Sequence, residues 1–349
     1  MLTLYTTGEI LEHLLTDDPG KWGTLIHKKG AIQVVVDELL DSPESLRLHR
    51  SGNISEEDDV LEYLSHPEKT LDDSNGVFIF DVDERTAEKI RKDYGVDFVA
   101  FCNADSNVLI EQGWQRDTSD TDLTQTWPSF FDGHKCPINS AIILDRFLFS
   151  TEEGDTIEDS LFNLQQIMEA ILPKTLKDNV FNLLVVFDYS KVDPRYVHKE
   201  DGSEYSFKDL QQMINKLKKR ITRTYNYMIE VVSVNRGCDE LYSDTHDRHV
   251  ITNYFISQAT HKLRAYRSPD ISLCSQMLYF NRLFSCGVTD TKSSLPIKTQ
   301  TRLIKALFQV TGKPLRTDED VDYRAELHYG RDGNEYSFDR IEIKNRLIS

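Results

Sequence analysis

The chain has 349 residues, of which 39% are hydrophobic, and its 58 Asp and Glu outnumber 41 Lys and Arg for a formal net charge of −17. This length and apolar content allow a large packed core and exclude disorder as the main state. No apolar run approaches the ~20 residues that cross a bilayer, and the start MLTLYTTGEILEHLL lacks a basic-then-apolar leader, so no transmembrane segment or secretory signal is expected.

The charge is unevenly divided. Residues 1–150 hold 29 acidic against 13 basic side chains, which leaves 29 against 28 for residues 151–349. A polyanion such as nucleic acid would therefore be met only by the C-terminal half. Cys102, Cys136, Cys238, Cys274 and Cys286 are scattered, with no CxxC pair. That pattern points to a reducing interior and a cytoplasmic location.

In chain order, AIQVVVDEL (31–39), GVFIFDV (76–82), VDFVAF (96–101), SAIILDRFLF (140–149), FNLLVVF (181–187), YMIEVVSV (227–234) and HVITNYF (249–255) read as strands. Helical spacing lies between them, over 84–94, over Ile157 to Ile171 ahead of Pro173, and over Phe207 to Ile221. The alternation predicts an α/β fold with a mixed or largely parallel sheet flanked by helices. We expect an acidic α/β region over 1–111, a polar linker or excursion over 112–139, and a second α/β domain over 140–349 that ends in a helix and a hairpin. DGSEYSF (201–207) and DGNEYSF (332–338) precede different elements and read as two uses of an Asp-Gly turn.

Two constellations carry chemistry. In FIFDVDERT (78–86) an apolar strand ends in Asp81-x-Asp83, which resembles the opening motif of haloacid-dehalogenase-type phosphatases. That resemblance implies Asp81 as nucleophile, Asp83 as general acid and a Mg²⁺ ion between them. Arg85 stands where that family has Thr or Val, and the simpler expectation is that Asp83 caps the following helix.

The second is SDTHDRHVITNYF (243–255), which contains His246-x-Arg248-x-x-x-x-Asn253. This is the spacing of the HxKxxxxD motif of the phospholipase D superfamily, with Arg for Lys and Asn for Asp. Period two places His246 and Arg248 on one strand face. The order FNLLVVFDYS, helix, YMIEVVSV, THDRHVI is similar to the phospholipase-D-like C-terminal domain of MIT-domain proteins, over about residues 181–256. That family is non-catalytic and binds phosphoinositide membranes; its Gly-rich continuation is replaced here by ISQATHKLRAYR.

Arg248 keeps a positive fork for phosphate oxygens, while Asn253 removes the carboxylate that would support a charged imidazole. The resemblance thus implies phosphate binding by Arg248 and Asn253, with Arg236, Lys262 and Arg264 beside them. Lys216, Lys218, Lys219, Arg220 and Arg223, from NKLKKRITRTYNY, would extend a basic rim around that strand.

The leading expectation is an intracellular binding or regulatory protein that recognises a phosphorylated ligand or a protein partner without turnover and without a cofactor. The alternative is a metal-independent phosphodiesterase or nuclease with His246 as nucleophile. SAIILDRFLF holds a second Asp-Arg but no His ahead of it, so that enzyme would need a homodimer to supply its second motif. A weaker alternative is the Mg²⁺-dependent phosphatase using Asp81 and Asp83.

Overall fold

The computed structural model describes residues 2–16, 22, 32–35, 76–106, 114–117, 127, 131, 136–150, 156–192, 199, 201–234, 241, 248–259, 263, 277–282, 295–311, 327–331 and 343–348. These form an α/β structure with two sheets, as the alternation of apolar runs and helical spacing predicts.

The first sheet is wholly parallel, in the order β2-β1-β3-β4, with β1 at Leu2–Tyr5, β2 at Ile32–Val35, β3 at Gly76–Phe80 and β4 at Asp97–Ala100. Helix α1 (Gly8–Thr16) follows β1, and α2 (Glu84–Tyr94) crosses from β3 to β4. Successive residues of β3 and β4 are all buried but face opposite sides of the sheet. Tyr5, Phe78, Phe80 and Phe98 pack with Ala87, Ile90 and Tyr94 of α2, while Leu4, Val77, Ile79 and Val99 turn the other way with Ile10 and Leu14 of α1.

The second sheet has eight strands in the order β12-β8-β7-β6-β9-β10-β11-β5. Here β5 is Trp114–Asp117, β6 Ser140–Leu144, β7 Asn182–Phe187, β8 Met228–Val234, β9 Arg248–Thr252, β10 Phe255–Ala259, β11 Met277–Arg282 and β12 Leu327–Arg331. Strands β6, β7 and β8 are parallel and the other neighbours antiparallel, so the sheet is mixed. Strand β5 falls within the polar stretch expected as a linker or excursion. It pairs with β11 at the sheet edge, where a four-residue strand needs no long apolar period to hold it.

Helices α3 (Ile157–Ile171) and α4 (Phe207–Arg220) carry the two crossovers β6-α3-β7 and β7-α4-β8. Both start on reciprocal capping boxes, Thr156 with Asp159 and Ser206 with Asp209. Their apolar stripes cover one face of the sheet through Ala141, Ile143, Leu183, Val185, Ile229 and Val231. The alternate residues Ile142, Leu144, Leu184, Val186, Val232 and Ile251 share a core with α5 (Leu295–Thr311), Leu347, Ile348 and the first sheet. The acidic N-terminal region and the second sheet therefore bury one continuous apolar mass.

Polar seams set how the sheets meet. Tyr254, in the two-residue connection from β9 to β10, donates its hydroxyl to the Gly76 carbonyl at 2.7 Å and accepts from the Asp97 amide at 2.8 Å. Gly95 closes α2 with φ +61°, and a Cβ there would lie 2.3 Å from the Ile138 carbonyl oxygen. Only glycine satisfies both the left-handed backbone and that approach.

The segment 343–348 closes the amino edge of β6 and β7. Asn345 accepts from the Ser140 hydroxyl at 2.9 Å and donates to the Ala141 and Asn182 carbonyls, and Arg346 donates to the carbonyls of Asn139 and Val180. Glu230 of β8 anchors its start: Oε1 accepts from the Lys344 amide at 2.8 Å and the Tyr329 hydroxyl at 2.9 Å, while the buried Oε2 has no hydrogen-bond partner among the described residues.

Two outcomes follow from these geometries. Gly95→Ala should lower the unfolding free energy by at least about 2 kcal/mol, read from the urea midpoint, because a left-handed alanine and a backbone collision add. Burial raises the Glu230 carboxyl above its ordinary range against the hydrogen bonds that oppose it. The folded state then holds that proton more tightly than the unfolded chain, so stability falls as pH rises from the ordinary glutamate range towards the raised value. Glu230→Gln should flatten that falling limb in urea titrations between about pH 4 and 8, and an unchanged slope would show that Glu230 does not set it.

Candidate functional site

Strands β6 and β7 both end in aspartate, and each aspartate folds the chain that follows it. Asp145 is fully buried; its Oδ1 accepts from the Phe147 amide at 2.9 Å and its Oδ2 from the Leu263 amide at 2.9 Å. Asp188 caps the short turn Tyr189–Lys191, accepting from the Ser190 amide at 3.0 Å and hydroxyl at 2.6 Å. Asp-led turns of this kind bring the next few side chains back over the strand ends.

What they bring together is a cationic cluster around one ring. The Phe147 ring, half-buried, has Arg248 at 5.0 Å, Arg146 at 5.7 Å and Lys191 at 5.7 Å from its centroid. Arg248 pairs with Asp145 at 3.6 Å and Arg146 with Asp188 at 3.2 Å. Lys191 makes no ion pair among the described residues. Among the described residues two carboxylates face three cations, which leaves that set one positive charge in excess.

The place is the one the topology singles out. From β6 the chain moves through β7 and β8 to one side, while β9 lies on the other, so the order reverses at β6. Crevices outside the carboxyl ends of strands at such a reversal are where open α/β sheets hold ligands. Access differs among the three cations. The Arg248 side chain is 9% exposed and the Arg146 side chain 27%. Lys191 is half-buried like the ring. Arg248 thus backs the ring, and Arg146 and Lys191 face outward.

Of the residues expected from the phospholipase-D-like spacing, the two that are described, Arg248 and Asn253, are not gathered at one point. Arg248 opens β9 at the carboxyl edge of β6, whereas Asn253 lies just past the other end of β9. Five extended residues separate them by roughly 16 Å. Asn253 is fully buried, and its amide is used up by the fold: Oδ1 accepts from the Asn139 amide at 3.0 Å and the Ser140 amide at 2.9 Å, and Nδ2 donates to Asn139 Oδ1 at 2.7 Å. It ties the β9–β10 turn to the start of β6, out of reach of a phosphate on Arg248.

His246, Arg236, Lys262 and Arg264 lie outside the described residues. Leu263, between the last two in sequence, is buried and touches Asp145 through its amide.

The basic rim expected around the same strand is also placed elsewhere. Helix α4 runs back from the end of β7 to the start of β8, so Lys216, Lys218, Lys219, Arg220 and Arg223 sit at the amino edge of the sheet. The length of β7, roughly 20 Å, separates that edge from Arg248.

Asp81 is exposed beyond the end of β3, and Asp83 is the α2 cap: Oδ1 accepts from the Thr86 amide at 2.9 Å and Oδ2 from the Thr86 hydroxyl at 2.7 Å. The Thr86 hydrogen bonds, the hydroxyl's first, hold the Asp83 carboxyl below its usual value. A group so ionised has no proton to give as a general acid near neutral pH. Among the described residues no group of three or more His, Cys, Asp or Glu side chains could hold a metal ion.

The cluster partners Asp145, Arg146, Phe147, Asp188 and Lys191 were not picked out as a site from the sequence. The available signal was the repeat of an apolar run closing on aspartate, IILD and VVFD, in strands that turn out to be neighbours.

Placing a carboxylate at position 253, as in the HxKxxxxD spacing, tests the role of Asn253. Asn253→Asp places an acceptor against Asn139 Oδ1 in a buried seam, and should destabilise the fold by about 2–4 kcal/mol by thermal or urea unfolding without creating phosphodiesterase activity. Wild-type stability in that variant would show that the seam does not depend on the amide.

Neither protein-family models, nor curated proteins, nor solved structures match this chain.

Proposed function

We propose that this chain is a cytoplasmic binding and regulatory protein with a degenerate phospholipase-D-like domain, which holds a phosphorylated ligand, free or on a partner protein, without turning it over. The observation that carries the reading is the excess positive charge around Phe147 at the carboxyl edge of β6 and β7. Arg146 and Lys191 would take the phosphoryl oxygens, because they are the accessible members and Lys191 has no carboxylate partner among the described residues. Charge-assisted bonds to phosphate are roughly twice as strong as neutral ones, and a guanidinium already oriented by Asp188 loses little freedom on binding.

Binding without turnover is favoured by where the motif's polar groups are spent. Arg248 is paired with Asp145 and stacked under Phe147, and Asn253 is enclosed in the β6 seam. Neither is available to steady a charged imidazole through a phosphoryl transfer.

Two measurements decide the reading. Titration with inorganic phosphate, followed by calorimetry, should show saturable binding that Lys191→Ala and Arg146→Ala each weaken about tenfold, the loss of one charge-assisted bond. Incubation with bis(4-nitrophenyl) phosphate should release no nitrophenol. Hydrolysis that disappears in His246→Ala would establish the phosphodiesterase instead, and phosphate binding indifferent to both cluster variants would remove the site.

A further inference from the structure

The amino edge of the second sheet carries a separate feature that the carboxyl-edge site does not use. Residues 172–179 leave α3 for β7, and residues 221–226 leave α4 for β8. The two loops are fastened side by side. Arg223 donates to the carbonyls of Leu172 and Glu169, the Tyr225 hydroxyl to the Pro173 carbonyl at 2.9 Å, and the Asn226 amide to Asp178 at 2.7 Å. This is a fixed platform, and α4 ends on it.

Residues 172–179 and 216–226 together hold seven cations, Lys174, Lys177, Lys216, Lys218, Lys219, Arg220 and Arg223, against one acid, Asp178, in a chain whose net charge is −17. Two lysines elsewhere are answered by carboxylates, Lys92 by Glu88 at 3.1 Å and Lys199 by Asp209 at 2.8 Å. At this edge Lys174, Lys216, Lys219 and Arg220 are exposed and make no ion pair among the described residues.

Helix-end electrostatics account for part of this, since cations stabilise a helix C-terminus. They do not account for all of it: Arg223 already satisfies the terminal carbonyls of α3, and Lys174 and Lys216 lie outside the last turn of either helix.

We propose that this platform is a docking surface for the sugar-phosphate backbone of a nucleic-acid duplex. The chemistry favours phosphates read by charge alone. Tyr225 and Tyr227 are buried beneath the platform, so no ring there is free to stack an unpaired base, which is the mark of single-strand readers. Phe162 and Phe308 are the exposed large hydrophobic residues among those described, and neither lies on the two loops, so nothing there wedges into lipid. Four exposed, unpaired cations on a pre-formed edge match a run of backbone phosphates, and the acidic remainder of the chain confines the contact to that edge.

The test uses the full-length protein and a fluorescently labelled DNA duplex of mixed sequence, followed by anisotropy across a salt series. The expected result is saturable binding whose affinity falls with a log–log salt slope near −3 to −4, as about four phosphate contacts require. The triple substitution Lys216→Glu, Lys219→Glu, Arg220→Glu should abolish it with the urea midpoint preserved. Should that variant lose stability, Lys174→Gln and Lys216→Gln, each removing one contact, should reduce the slope by about one apiece. Arg146→Gln with Lys191→Gln, at the opposite edge, should leave duplex binding unchanged, which keeps this result separate from that of the phosphate site. No binding by the wild-type chain, a slope near zero, equal binding by the charge-reversed variant, or preference for a single strand or a phosphoserine peptide over the duplex would each overturn the proposal.

Discussion

A two-residue turn with both side chains buried holds the molecule together. Between β9 and β10, Asn253 reaches back to the first residues of β6 and Tyr254 reaches across to β3 and β4 of the other sheet. Neither residue adopts positive φ, so the connection is not one of the usual tight hairpin turns, and Thr252 steadies it by taking the Tyr254 and Phe255 amides on its hydroxyl. Gln300 of α5 donates to the Thr252 carbonyl at 2.8 Å and adds a third anchor. Each hydrogen bond contributes only about 1 kcal/mol net, whereas one buried group left orphaned costs about 1–3 kcal/mol. The apolar core supplies the bulk of the stability, and this seam selects one register and one docking of the sheets from the many that would bury similar area.

The same strand explains why the two edges of the second sheet differ in kind. At its carboxyl end the sheet stops on Asp145 and Asp188, which recruit their own arginines into a compact cluster with Lys191 beside them. At its amino end the polar groups are carbonyls and amides satisfied by Asn139, Asn345 and Arg346, and Lys174, Lys216, Lys219 and Arg220 make no ion pair among the described residues. Buried charge needs a partner and exposed charge does not. One edge is therefore specific in shape, and the other only in sign.

Much of the fold was legible in the sequence because its strands are apolar and its helices are amphipathic. Seven strands and three helices follow from runs such as FNLLVVF and from the helical spacing over 84–94, 157–171 and 207–221. Strands β1, β5, β10 and β11 were less visible: the first two have four residues each, and β10 continues the apolar run of β9 through a turn that contains neither glycine nor proline. The site was less legible still. A motif is a statement about spacing along one chain, and between Arg248 and Asn253 it spans a whole strand, so these two residues lie at different edges. The Phe147 cluster draws on residues near 146, 190 and 248, which only the adjacency of β6 to both β7 and β9 unites. Asn253 was conspicuous for a sound reason, since a polar residue inside an apolar hairpin must be satisfied, but its partners are two backbone amides and the Asn139 side chain.

The bond between Ser140 and Asn345 joins positions 205 residues apart. During synthesis, strands β6, β7 and β8 with their crossover helices can assemble from nearby sequence, yet their amino edge stays unsealed until that distant segment has been made. From the end of β8 to Asn345, at the pace of translation, this is a wait of about 5–20 seconds, far longer than the time helices or hairpins take to form. For that interval the sheet holds its carbonyls and the Glu230 carboxyl open to water, and its maturation is timed by the ribosome.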